Sequence, residues 1–202
     1  MSNALANDRE ECRHDLVVEM LRIARHDFKT PLTSLRMLAQ MFQLSLEKGT
    51  LSANPERTAR NCQLMVDQVD KLVALADILS DVALIESGHF NLNKIRCDLR
   101  PIIEDSLGPE NGVEIRLPAE VVEGAWDVAR LGQSLKYLIS CFAPKQVKIK
   151  KEDGVARIVF SPVPEVSDFY KPSAKLHISR YVIEAHGGKI EESGEITLPV
   201  SK

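Results

Sequence analysis

Apolar residues in segment 9–47 recur at three- and four-residue steps, through Leu16, Met20 and Ile23 and again through Leu35, Leu38, Phe42 and Leu46. That spacing predicts a long amphipathic helix, stopped at Gly49. Asn54-Pro55-Glu56 then offers a capping side chain, a first-turn proline and a first-turn acid, a helix start. From there Cys62, Met65, Val69, Leu72, Ala76, Leu79 and Ala83 alternate steps of three and four, a heptad seam held for three repeats. Val66, Val73 and Ile85 widen the stripe beyond what one partner helix covers. Two antiparallel helices cannot bury such a stripe alone, so the hairpin is expected to dimerise into a four-helix bundle.

The pattern changes after Ser87-Gly88. The first 87 residues hold one glycine and two prolines; the remaining 115 hold nine glycines and eight prolines. Domains are therefore expected over 1–88 and 89–202. In the second, 113–117, 147–151 and 156–160 read as strands, with Glu152-Asp153-Gly154 as the turn between the last two. Segments 129–142 and 173–186 read as helices, the latter stopped by Gly187-Gly188, and 189–200 reads as a hairpin. The fold class is α+β, with a helical hairpin followed by an α/β two-layer sandwich.

Composition narrows the function. The chain has 202 residues, is 44% hydrophobic and 27% charged, and carries a net charge of −3. This is globular composition with no basic excess to suggest nucleic acid. No apolar run is long enough to span a bilayer, and the first residues carry neither a basic start nor an apolar stretch, so no secretory signal is expected. Cys12, Cys62, Cys97 and Cys141 are scattered. Reduced thiols in a cytoplasm are the expectation, with no metal site.

The candidate chemistry lies at His26-Asp27-Phe28-Lys29-Thr30-Pro31. His26, Lys29, Thr30 and Thr33 share a helix face, apart from Leu32, Leu35 and Leu38. A neutral imidazole is a competent nucleophile toward phosphorus. Asp27 is placed to orient the ring, Lys29 to offer charge to a phosphoryl group, and Thr30 to hydrogen-bond a phosphoryl oxygen or a water. Pro31 has no N–H for the Asp27 carbonyl, so the helix should bend or loosen just after His26. His14, His177 and His186 are expected to be structural.

His26-Asp27-Phe28-Lys29-Thr30-Pro31-Leu32 resembles the phosphoacceptor box of two-component sensor histidine kinases, H-[DE]-x-[KR]-T-P-L. Leu79 to Gly88 resembles the end of that family's second bundle helix. The resemblance implies a homodimeric dimerisation and histidine-phosphotransfer domain over roughly residues 10–100. The remainder is similar to the family's ATP-binding domain in scaffold only. Tyr137 and Cys141 stand where the family has asparagines, and cysteine is a poor Mg²⁺ ligand. Strand 156–160 leads into Ser161-Pro162-Val163-Pro164-Glu165 instead of an Asp-x-Gly-x-Gly box. Ser173 and Lys175 replace phosphate-facing glycines ahead of the family-like helix end Glu184-Ala185-His186-Gly187-Gly188. About a dozen residues separate these last two boxes, too few for the family's flexible lid.

The resemblance therefore implies a bacterial bundle-type histidine phosphotransferase with a degenerate ATP-binding-like domain. No cofactor would be bound by this chain. A phosphoryl group would pass through His26 between response-regulator receiver domains, one of them possibly part of a hybrid kinase, with Mg²⁺ supplied by the receiver. Receivers would dock near Thr33 and Met37. A response-regulator phosphatase, a non-enzymatic kinase inhibitor or scaffold, and a divergent active kinase remain as alternatives.

Overall fold

The computed structural model describes residues 16–50, 54–107, 112–164, 173–191 and 193–201. Cys12, His14 and the first residues of the expected helix lie outside them, as do residues 165–172 of the segment expected to be too short for a lid. Two compact units divide between Asp81 and Val82, before the second long helix ends at Glu86.

In the first unit, helix runs from 16 to 22, passes through a π turn at Ile23–Asp27, and resumes as α1 (Lys29–Glu47). Its end is a Schellman motif: Thr50 N–H donates to Ser45 O (2.9 Å) and Gly49 N–H to Leu46 O (3.0 Å). Gly49 sits at φ +63°, which a Cβ disfavours. Helix α2 (Pro55–Glu86) begins as its sequence requires, with Asn54 Oδ1 accepting from Arg57 N–H at 2.9 Å. The seam residues Cys62, Val69 and Ala76 are exposed, and Met65, Leu72 and Leu79 are half-buried. Leu32, Met37, Val66 and Val73 are more than half exposed, so the single chain leaves its apolar stripe uncovered.

The second unit is built on a five-stranded sheet in the order β2-β4-β5-β7-β6. Its strands are β2 (Glu114–Arg116), β4 (Gln146–Glu152), β5 (Val155–Ser161), β6 (Lys189–Ile190) and β7 (Ile196–Pro199). β2 and β4 are parallel; the other pairs are antiparallel. The β4–β5 hairpin turns on Asp153 and Gly154, both at positive φ, as a two-residue Asp-Gly turn demands. Alternation along β5 buries Ala156, Ile158 and Phe160 on one face. There they join Leu131, Leu135 and Leu138 of helix α4 (Val128–Phe142) and Leu176 and Ile183 of helix α5 (Ala174–Ala185) in one core.

Three elements carry too little local pattern to be read from sequence: β1 (Ile95–Asp98), β3 (Glu123–Trp126) and helix α3 (Leu99–Leu107). β1 and β3 pair with each other alone. Helix α3 carries Pro101 in its first turn but buries Leu99, Ile102, Ile103 and Leu107, so tertiary packing decides its state.

His186 has the structural role expected of it. Its Nε2 accepts from Asp127 N–H (2.9 Å), and Nδ1 lies 2.7 Å from Val182 O. Asp127 in turn caps α4 through Arg130 N–H (3.0 Å) and accepts from Asn93 N–H (2.8 Å). The ring ties the end of α5 to the start of α4 and needs to be neutral to do so. Earlier in the chain, Phe90 is clasped between Arg130 (4.7 Å from guanidinium carbon to ring centroid) and the edge-on ring of Tyr181 (5.4 Å).

Two consequences are measurable through Trp126, the chain's one tryptophan, which is fully buried. A Cβ at Gly124 would overlap the Trp126 indole, so Gly124→Ala should lower stability by about 1–3 kcal/mol, read as a lower urea midpoint in tryptophan fluorescence. Burial pushes His186 and His177 below their ordinary value of 6.5, in His177 despite Glu86 Oε1 at 3.3 Å. Both rings therefore take up a proton more readily in the unfolded chain. Stability should be intact above about pH 6.5 and decline as pH falls below it, checked by urea midpoints across that range.

Candidate functional site: an exposed histidine on a widened helix turn

Pro31 is buried and lies one turn beyond the histidine. It withholds the amide hydrogen that the Asp27 carbonyl would accept, and its ring crowds that carbonyl. The helix accommodates this by slipping one residue: Phe28 N–H reaches back five residues to Ile23 O (3.2 Å), and Leu32 N–H closes the next turn on Phe28 O (3.2 Å). The loosening thus spans His26, running from Ile23 to Phe28 on the N-terminal side of the proline. π turns of this kind concentrate at functional sites.

On the widened turn the His26 side chain is 79% exposed. Its Nδ1 lies 3.2 Å from Asp27 Oδ1. The contact is a hydrogen bond when Nδ1 carries the hydrogen, which leaves Nε2 as the ring's acceptor. Asp27 Oδ1 also accepts from Arg22 Nη1 (2.9 Å), and Arg22 is gripped by Glu19 through Nε (2.7 Å) and Nη2 (3.0 Å). Hydrogen bonding to Glu19 holds the guanidinium above its ordinary pKa.

The remaining expected residues fall on the same stretch. Lys29 and Thr30 are exposed at the start of α1, and Met37 is exposed two turns on. Thr33 is exposed too, but its hydroxyl donates to Lys29 O (2.8 Å). A shallow groove of about 320 Å³ runs beside the histidine, lined by Arg25, Phe28, Lys29, Leu32, Thr33 and Arg36. The family box does not single out Arg22, Arg25 or Arg36. The last two follow from helical spacing about Lys29, whereas Arg22 meets Asp27 only because the turn is wide.

In the second unit, the positions corresponding to the nucleotide boxes bond to one another. Lys175 Nζ lies 5.7 Å from the centroid of the Tyr137 ring and 3.3 Å from Ser140 Oγ. Cys141 Sγ lies 3.9 Å from Ser173 Oγ, and that oxygen caps α5 by accepting from Leu176 N–H (3.4 Å). Aromatic, thiol and ammonium groups are a poor donor set for Mg²⁺, which takes hard oxygens. Side chains, not bare amides, crowd the helix start. These residues do not fit a bound Mg²⁺–nucleotide. Among the described residues no cluster of histidine, cysteine and carboxylate side chains could hold a metal ion, and no helix is long and apolar enough to cross a membrane.

Residues 17–88 match the His Kinase A (phospho-acceptor) domain. The chain is 31% identical over 124 residues to the sensor histidine kinase MtrB of Mycobacterium tuberculosis, a match covering 57% of this chain and 21% of that protein. It is 28% identical over 140 residues to the virulence sensor protein BvgS of Bordetella pertussis, covering 66% of this chain and 11% of that one. The chain thus spans about a fifth or less of these relatives. Among solved structures, the Acinetobacter baumannii histidine kinase AdeS superposes with a TM-score of 0.59 at 19% identity, over 88% of this chain and 98% of that one. At that identity the likeness speaks for fold: a helical hairpin, and an α/β unit resembling histidine kinase ATP-binding domains. Residues 17–88 thus match the phospho-acceptor domain, stretches of the chain are similar to sensor histidine kinases, and the solved structure shares its fold.

Proposed function

We propose that the chain is a histidine phosphotransferase, carrying a phosphoryl group on His26 between receiver aspartates without using ATP. The observation that carries this reading is the pairing of an accessible, oriented imidazole with a nucleotide face occupied by its own side chains. His26 Nε2 would attack the phosphorus of a receiver's aspartyl phosphate. The N–P bond forms as the P–O bond to the aspartate breaks, and the electron pair leaves with that carboxylate. Nδ1 keeps its hydrogen against Asp27, which stabilises the positive charge the ring acquires. Lys29 faces the transferred group with a positive charge and Thr30 with a hydroxyl. The receiver's own acidic pocket would supply Mg²⁺, so this chain contributes position and charge rather than a metal.

A homodimer is part of the reading. Leu32, Val66, Val69 and Val73 form apolar surface that a second hairpin would cover. Beside it, the groove with Arg25, Lys29 and Arg36 on its walls suits an acidic receiver surface, with Thr33 and Met37 farther along the same helix.

The matched relatives bear the names of sensor kinases, which favours a divergent ATP-dependent kinase as the second reading. One pair of experiments separates the two. Incubation with receiver domains radiolabelled from acetyl phosphate should place label on this chain. His26→Ala should abolish it, and Asp27→Asn should slow it by roughly tenfold to a hundredfold; free phosphate without labelled protein would instead indicate hydrolysis. Titration of the chain with a fluorescent ATP analogue and Mg²⁺ should give no saturable binding at millimolar concentration. Saturable binding with autophosphorylation on His26 would decide for the kinase.

A further inference from the structure

Arg22 and Asp27 are five residues apart. On an α-helix that separation puts two side chains about 140° apart around the axis, and only residues three or four apart share a face. The π turn at Ile23–Asp27 removes the mismatch: its backbone bond spans five residues, and Arg22 Nη1 comes within 2.9 Å of Asp27 Oδ1. The result is one continuous chain of polar contacts. Glu19 grips Arg22 with both carboxylate oxygens, Arg22 holds Asp27, and Asp27 holds His26 Nδ1.

The geometry points to Arg22 as a positioning residue that acts on His26 through Asp27, keeping the ring in its Nδ1–H form with Nε2 turned outward for phosphoryl transfer. The consequence for transfer rests on the relay reading above; the positioning is a property of the resting protein. The argument is one of freedom removed. An Asp–His contact between neighbouring residues competes with water when the histidine side chain is 79% exposed. Asp27 itself is largely shielded, at 26% side-chain exposure, and Glu19 more so, at 14%. A forked guanidinium held by a shielded carboxylate is a far stiffer anchor than solvent. It leaves Asp27 one orientation in which a single oxygen serves both Arg22 and the imidazole. During transfer the Nδ1 hydrogen remains on the ring, shared with Asp27, while bond making and breaking occur at Nε2.

Pro31 enters the same argument, since the π turn that brings Arg22 to Asp27 is the helix's response to the missing amide hydrogen. Arg22→Ala removes the anchor directly; Pro31→Ala permits an ordinary α turn and moves the anchor away. The two changes are chemically unrelated and should converge on one effect.

The test uses the full chain. Heteronuclear NMR of the ring nitrogens should show His26 predominantly as the Nδ1–H tautomer in the parent protein, and a shift toward the Nε2–H form in both Arg22→Ala and Pro31→Ala. In single-turnover transfer from an acetyl-phosphate-labelled receiver, Arg22→Ala should slow transfer roughly tenfold and leave the half-saturating receiver concentration unchanged. In an Asp27→Asn background, Arg22→Ala should add no further loss, because it works only through Asp27. An unchanged tautomer in both variants would overturn the proposal, as would rate losses that multiply in the double variant. If the parent chain takes no label but its tautomer responds as stated, the relay reading fails and the positioning stands. If label appears without a tautomer response, the relay stands and the positioning fails.

Discussion

A hydrogen atom that Pro31 lacks governs the chemistry of the first unit. Every interior residue of an α-helix donates to the carbonyl four residues back, and Pro31 withholds that donor from Asp27. The helix cannot end there, because apolar residues continue through Leu46. It therefore widens by one residue over Ile23–Asp27 and resumes at Lys29. The widening closes Arg22 on Asp27, whose carboxylate lies against the exposed His26 ring. A backbone vacancy one turn away thus arranges three side chains, which no local propensity for His, Asp or Arg would do.

The second unit shows that a scaffold and its site answer to different constraints. Its core depends on alternation along β5, on the apolar faces of α4 and α5, and on the Asp127–His186 bond between them. None of those contacts requires the residues at 137, 141, 173 and 175 to suit a nucleotide. Tyr137 packs, Ser173 caps, and Lys175 settles over an aromatic ring beside a hydroxyl. Each substituted residue satisfies its own polar atoms locally, so the change costs the fold little. The helix end Glu184-Ala185-His186-Gly187-Gly188 is fixed by the scaffold itself. His186 is bonded on both ring nitrogens, and a Cβ at Gly188 would overlap Thr197 O.

How far the sequence was legible follows from where each element draws its stability. The long helices and their ends were legible because their determinants are local: Gly49 closes one, Asn54-Pro55-Glu56 opens the next, and the Asp153-Gly154 turn sets a hairpin. β1 and β3 exist only as each other's partners, and helix α3 carries a proline in its first turn and survives by burial, so a linear pattern carries no sign of them. The site was legible in composition and less so in geometry. His26, Asp27, Lys29 and Thr30 stand together in the chain, and all lie on the exposed or partly exposed flank of the helix. Pro31 announced a break just after His26, whereas the widened turn begins before it, at Ile23. Arg22 stayed invisible because helical reasoning assigns partners at three and four residues, and the widened turn made the partner the fifth.

On the proposed relay, His26 faces opposing demands. The ring must be open enough for two different proteins to reach it, yet oriented enough that each transfer begins near the attack geometry. Burial would supply orientation and deny access; a flexible loop would do the opposite. An exposed ring at the base of a stiff helix, steered through one nitrogen by a shielded carboxylate, meets both demands because orientation is imposed from the side the partner does not use. That division explains why anchoring groups precede the histidine, at Glu19 and Arg22, while exposed Lys29 and Thr30 follow it. The widened turn lies between the two sets, and in an uninterrupted α-helix Arg22 would have no path to Asp27.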